Sequence, residues 1–152
     1  ITILRGLMGG DYFGFKGDFY DIPDLKLCPV PSQPVPILIG GHSKLALKRA
    51  AKLGDGWISA GITLEETKDF INQINSYREE FGTLDHPNYQ FQVMGEAAYS
   101  PDGVKALEDL GATEVIVAFR NAYEGGPDER TLDSMKAEIS WYAEEVINKF
   151  RT

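Results

Sequence analysis

The chain is 152 residues long and carries 15 basic against 23 acidic residues, for a formal net charge of −8. That length suits one domain with a sizeable core, and an acidic balance with no long basic run argues against a nucleic-acid partner, whose phosphates need lysine and arginine to neutralise them. One cysteine, Cys28, excludes an internal disulfide, and two histidines, His42 and His86, give no metal-ligand spacing.

A reducing, cytoplasmic setting fits this usage best. No apolar run approaches the ~20 residues of a membrane span, and Ile1 to Gly10 lacks the layout of a signal peptide, so no membrane association is expected. The sequence starts at Ile1 and not at Met, which is expected of a processed chain or of part of something longer.

Ile1 to Met8, apolar around a single Arg5 and closed by Gly9-Gly10, reads as the tail of a helix. Tyr12-Phe13-Gly14-Phe15 and Asp18-Phe19-Tyr20-Asp21-Ile22 then flank Lys16-Gly17, the pattern of two extended segments across a tight turn. Burial of the Phe13, Phe15, Phe19 and Tyr20 cluster, either over the mouth of a barrel or against another chain, is expected, because an exposed aromatic hairpin is a liability. From Leu25 the chain carries Pro29, Pro31, Pro34 and Pro36, too dense for a helix or a central strand, and this is an extended connector.

Next comes Pro36-Ile37-Leu38-Ile39-Gly40-Gly41-His42-Ser43, where a short apolar run enters a glycine pair, followed by an Ala- and Leu-rich helix that ends at Gly54. Glycines let backbone amides approach a ligand, and the free N–H groups at a helix start favour an anion. Gly40, Gly41, His42 and Ser43 are therefore the first candidate binding site. A plain tight turn, with Ser43 as N-cap, is the competing reading.

A second strand, Gly56 to Ala60, leads to Thr63-Leu64-Glu65-Glu66, a capping box, and to a helix with Phe70, Ile71, Ile74, Tyr77 and Phe81 on one face and Gly82 as its stop. Gln90 to Tyr99 reads as a third strand, and Ser100-Pro101 as N-cap and first position of a helix closing at Gly111. Glu114 to Phe119 is a fourth strand, apolar enough for burial on both faces. After a Gly- and Pro-containing loop from Asn121 to Arg130, the last helix places Leu132, Met135, Ile139, Tyr142 and Val146 on one face.

Four strand–helix units imply a parallel sheet with right-handed crossovers, either doubly wound or part of a (βα)8 TIM barrel. The span from Ile37 to Phe150 is about half of the ~250 residues that a closed barrel needs, so the fold expected is half a barrel preceded by a β-hairpin, the whole a single partial domain over 1–152. Half a barrel leaves two strand edges open, and either a homo-oligomer or pairing with a missing N-terminal half is expected.

The Pro-Val-Pro-Ile-Leu-Ile-Gly-Gly-His-Ser segment and the Ala-Leu-Lys-Arg-Ala-Ala-Lys-Leu-Gly-Asp-Gly-Trp that follows resemble the bacterial luciferase-like monooxygenase family, in particular its F420-dependent oxidoreductases. Phe15-Lys16-Gly17-Asp18-Phe19-Tyr20 and Gly111-Ala112-Thr113-Glu114-Val115 support the match. The resemblance implies a flavin-type oxidoreductase on a (βα)8 barrel, with this chain as strands five to eight, coenzyme F420 or FMN as cofactor and a small organic molecule as substrate. It also implies that the turn after the fifth strand, here Gly40 to Ser43, holds the cofactor phosphate, while the first four strands, which supply much of the catalytic surface, lie outside this sequence.

Lys44, at the start of the helix, is a candidate for added positive charge near that phosphate, although Lys44, Lys48 and Lys52 also read as a solvated helix face. Arg120, directly after the fourth strand, is a candidate clamp for a phosphate or carboxylate. Trp57, Ser59, Glu96 and Tyr99 fall near strand ends, where barrel sites form; Trp57 is read as core and Glu96 as paired inside the barrel. No general acid or base stands out. A non-catalytic half-barrel that associates with another chain is the alternative function.

Overall fold

The computed structural model describes residues 1–120 and 125–150. The chain divides into two units, Ile1–Ile37 and Leu38–Thr152. Among the described residues, no helix is long and apolar enough to cross a membrane.

In the first unit, α1 (Thr2–Met8) is followed by the antiparallel pair β1 (Phe13–Lys16) and β2 (Asp21–Leu25). The Lys16-Gly17 turn is wider than its sequence suggests. Lys16 pairs with Asp21, and Gly17 N–H donates to the Tyr20 carbonyl at 2.8 Å, so Gly17 to Tyr20 all lie in the loop. Phe19 and Tyr20 thus leave the strand, and Phe19 is 92% exposed in this chain by itself. Phe13 is half-buried, its ring lying against Gly6, where a Cβ would find no room. No regular element spans the proline-rich stretch from Lys26 to Ile37.

The second unit alternates strand and helix: β3 (Leu38–Gly40), α2 (Lys44–Leu53), β4 (Gly56–Ile58), α3 (Leu64–Glu80), β5 (Gln90–Met94), α4 (Pro101–Asp109), β6 (Glu114–Ile116) and α5 (Leu132–Glu145). The strands are parallel and pair in chain order, β3-β4-β5-β6, with Ile39 opposite Trp57, Trp57 opposite Phe91 and Val93 opposite Val115. A doubly wound sheet reverses its strand order at a switch point. This one does not, and four sequential βα units are half of a (βα)8 barrel.

Local chemistry explains the helix boundaries. Thr63 Oγ1 accepts from Glu66 N while the Glu66 carboxylate accepts from Thr63 N, the reciprocal capping box. Ser100 accepts from Gly103 N ahead of Pro101, and Thr131 accepts from Ser134 N. The core gathers Leu47, Ala50 and Ala51 of α2, Ile71 and Ile74 of α3 and Leu107 of α4 over Trp57, Phe91 and Val93. Each large side chain buried there contributes about 1.5–3 kcal/mol.

Several expectations need correction, beginning with the second strand, which ends at Ile58 and not at Ala60. The third strand stops at Met94, because Gly95 passes so close to the Ile62 carbonyl that a Cβ would collide with it, and Glu96–Tyr99 then forms a 3-10 turn. The fourth strand stops at Ile116: with β5 gone, Ala118 finds its hydrogen bonds on the Tyr99 hydroxyl, which donates to the Ala118 carbonyl (2.7 Å) and accepts from its amide (3.0 Å). Val115, Ile116 and Val117 are only half-buried, so β6 is not covered on both faces. The expected apolar face of α5 also divides, with Tyr142 and Val146 buried but Leu132 and Ile139 exposed.

Candidate functional site

The β3–α2 turn joins the end of an edge strand to a ten-residue helix, and Gly40 to Lys44 are all exposed. Gly41 has φ +110°, a region that side chains avoid, and a Cβ there would stand 3.0 Å from the Ala46 Cβ. Ser43 caps the helix by accepting from Ala46 N at 3.3 Å, and its hydroxyl hydrogen remains available to donate. The first-turn amides of Lys44 and Leu45 have no acceptor within the helix. An exposed set of N–H donors at a positive dipole end is what an anion requires.

The remaining atoms of the turn are tied down from behind. Trp57, fully buried on β4, donates Nε1–H to the Gly41 carbonyl at 2.9 Å. The His42 ring stacks on Phe70 of α3, with centroids 5.1 Å apart and planes 16° apart, and meets Trp57 edge-on at 6.0 Å. His42 Nε2 faces the Ala60 amide at 3.4 Å, in the β4–α3 connection.

The lysines of α2 separate in role. Lys48 lies over Tyr77 at 5.0 Å and 3.8 Å from Glu80, and Lys52 lies over Phe81 at 5.5 Å, so both belong to the α2–α3 packing. Lys44 alone stands at the turn, exposed and without an ion pair to a described residue.

Arg120 follows β6, at the opposite edge of the sheet from the turn. Its Nη2 donates to the Gly126 carbonyl at 3.0 Å and its Nη1 lies 3.6 Å from Asp128. Arg130 is held far more tightly. It donates to Asp128 through Nε (3.0 Å) and Nη2 (2.9 Å), and through Nη1 to Glu138 (2.9 Å) and to the Phe119 carbonyl. Those hydrogen bonds hold the Asp128 carboxyl well below the usual carboxylate range and raise Arg130 in turn.

Both arginines line an open hollow of about 380 Å3 beside the β6 end. Residues 121–124 of the loop before it lie outside the described residues. Arg130 was missed by sequence reasoning; the Asp128-x-Arg130 spacing, which allows a bidentate pair, was the available signal.

A second hollow, of about 530 Å3, opens at the ends of the two central strands, lined by Gly61, Ile62, Thr63, Leu64, Glu96 and Ala97. Glu96 is exposed there. Ser59 is buried with its Oγ accepting from Met94 N at 3.0 Å, which makes it a strand-to-strand clamp.

The fold is a half-barrel with an exposed glycine turn at the β3–α2 junction. Residues 1–141 match the sequence model of the luciferase-like monooxygenase family, and the chain belongs to that family. It is 45% identical over 149 residues to an uncharacterised protein of Mycobacterium tuberculosis, a match covering 98% of this chain and 51% of that protein.

An F420-dependent glucose-6-phosphate dehydrogenase of Amycolatopsis mediterranei is 40% identical over 110 residues, covering 72% of this chain and 33% of the dehydrogenase. Relatives include FMNH2-dependent as well as F420-dependent enzymes. Among solved structures, an F420-dependent secondary alcohol dehydrogenase in complex with an F420-acetone adduct superposes with TM-score 0.54 at 22% identity, over 61% of this chain and 28% of that one. The chain therefore spans about half the length of the mycobacterial relative and a third or less of the two dehydrogenases.

Proposed function

We propose that this chain is the cofactor-phosphate half of an F420-dependent oxidoreductase that moves hydride to or from a small organic substrate. The observation that carries the reading is the exposed Gly40–Lys44 turn. Its glycine at φ +110° and its first-turn helix amides form a cradle that a Cβ at residue 41 would crowd. The residues present fit a phosphate: backbone N–H groups of the turn, the Ser43 hydroxyl and the Lys44 ammonium are all donors, and no carboxylate lies within the turn.

F420 is preferred to FMN because F420-dependent relatives match over 110 to 139 residues, at 27–40% identity, against 76 residues at 34% for an FMNH2-dependent one. When bound, the deazaflavin would supply the hydride chemistry. This half of the barrel would bind and orient it. Lys44 adds charge at the helix start, Arg120 offers a second cation at the far edge, and the 530 Å3 hollow between them on the strand ends offers room for substrate.

Among the described residues, β3 pairs only with β4 and β6 only with β5. We place the complementary half of the barrel on those two edges, carried by the same polypeptide or by a second copy.

The direct test is to mix the purified chain with F420 and with FMN and to follow visible absorbance through gel filtration. F420 should travel with the protein. If neither cofactor is retained, the reading falls and a non-catalytic half-barrel replaces it.

A further inference from the structure

The three residues after Gly40 are each anchored. The Gly41 carbonyl accepts from Trp57 Nε1 (2.9 Å), the His42 ring is stacked on Phe70 and edged by Trp57, and Ser43 Oγ accepts from Ala46. Of these anchors, the one at His42 is the only one that reaches beyond α2 and β4, to α3 and to the β4–α3 connection. We propose that His42 is a positioning residue, whose ring ties the Gly40–Gly41 turn to Phe70 and Ala60 and so holds the turn ready for an anion without touching that anion itself.

Three observations carry this. The near-parallel stack on Phe70 fixes the plane of the ring, and the edge contact with Trp57 fixes its tilt. Nε2 accepts from the Ala60 amide, which occupies one of the two ring nitrogens. At 3.4 Å that hydrogen bond is long, so the stacking and not the nitrogen does most of the holding. Ala60 runs directly into Gly61 to Leu64, which line the 530 Å3 hollow, and His42 therefore links the anion turn to the wall of that hollow.

The inference rests on the phosphate-binding reading of the turn, and the experiment separates the two. Trp57 and Trp141 are the chain's two tryptophans, so a Trp141→Phe background leaves Trp57 as sole reporter. In that background, His42→Ala and His42→Phe are compared with the parent for F420 affinity, Trp57 emission and exchange of the Ala60 amide by NMR. His42→Ala should weaken F420 by about two- to tenfold, the worth of one aromatic stacking contact, and red-shift Trp57. His42→Phe, which keeps the stack, should bind within about twofold of the parent. Both should speed exchange at Ala60, having lost its acceptor.

A phenylalanine variant as weak as the alanine variant, with Trp57 unmoved, would mean that an imidazole nitrogen touches the ligand, and would overturn the proposal. So would an alanine variant that binds like the parent. If the parent binds no cofactor, the phosphate reading fails by itself. The positioning role is then decided without ligand, and unchanged Ala60 exchange and Trp57 emission in His42→Ala would sink it.

Discussion

Gly41→Ala is the substitution most directly set by the geometry of the turn. At φ +110° a side chain costs about 1–3 kcal/mol of backbone strain. Its Cβ would also stand 3.0 Å from that of Ala46, so the first turn of α2 must retreat by a few tenths of an ångström. The retreat falls on the Ser43–Ala46 cap, already 3.3 Å long, and a lost cap is worth about 1 kcal/mol. Together these place the loss at about 2–4 kcal/mol, or roughly 6–12 °C in Tm for a chain of this size.

Gly40→Ala is the internal control. Its Cβ would meet Ile58 Cγ2 at 3.5 Å, an ordinary contact, and no positive φ applies, so it should stay within about 0.5 kcal/mol of the parent. Urea unfolding followed by circular dichroism, with m-values compared, measures both. Equal losses in the two variants, or a silent Gly41→Ala, would refute the reasoning that residue 41 alone shapes the cradle. The folded fraction of Gly41→Ala should also bind F420 at least about tenfold more weakly.

Lys44→Ala should weaken F420 several-fold at low ionic strength, with the difference closing near 0.5 M salt, where charges a few ångströms apart in solvent are screened; isothermal titration at two salt concentrations checks it. Arg78, 5% exposed, donates to the Thr83 and Leu84 carbonyls and lies 3.9 Å over the Tyr89 ring, so Arg78→Ala should cost about 2–3 kcal/mol in urea unfolding.

Tyr89→Phe should be neutral or stabilising by up to about 1 kcal/mol, because the hydroxyl is buried without a partner among the described residues. Burial also pushes the Tyr89 phenol up to about 12, above its value of 10 in an unfolded chain. Its contribution is thus full below pH 10 and lost between 10 and 12, and Tyr89→Phe should flatten the stability profile there. The Thr63 amide, and after it the Thr63 hydroxyl, hold the Glu66 carboxyl below the usual glutamate range. Its contribution is present above the unfolded value and fades as pH falls through the folded one, so Glu66→Gln should flatten acid unfolding below about pH 4.

Features set by neighbours a few residues apart were legible in the sequence. Thr63 and Glu66, Ser100 and Pro101, and Ser43 before an alanine-rich run mark helix starts by local hydrogen bonding, and each starts a helix in the structure. Strand ends were less legible because they depend on the strand next door. Nothing local in Val117 to Phe119 says that β5 has already turned away at Gly95, or that a tyrosine hydroxyl will stand in for the missing partner. Gly95 itself was a signal, since a glycine inside a strand pattern marks a close backbone approach.

At the candidate site, the strand-to-helix turn of Gly40 to Ser43 was legible because it is contiguous. The anchoring of His42 by Phe70, 28 residues on, could not. The exposed Leu132 and Ile139 show the same limit: helical spacing identifies a face but not what lies opposite it.

The sheet order also constrains what the two candidate cation sites can do together. The turn follows β3 and Arg120 follows β6, the two edges of a four-strand sheet, so they are separated by three interstrand spacings, about 14 Å before any tilt. No single phosphate bridges that distance. If both act in one complex they hold different parts of an extended ligand, or one holds the cofactor and the other the substrate.

Arg120 is also less free than Lys44, because it already donates to Gly126 and lies beside Asp128, whose charge Arg130 shares. An incoming anion at Arg120 must compete with that carboxylate, whereas no carboxylate lies within Gly40 to Lys44 itself. Of the two, Arg120 is therefore the more committed cation and the β3–α2 turn the more open.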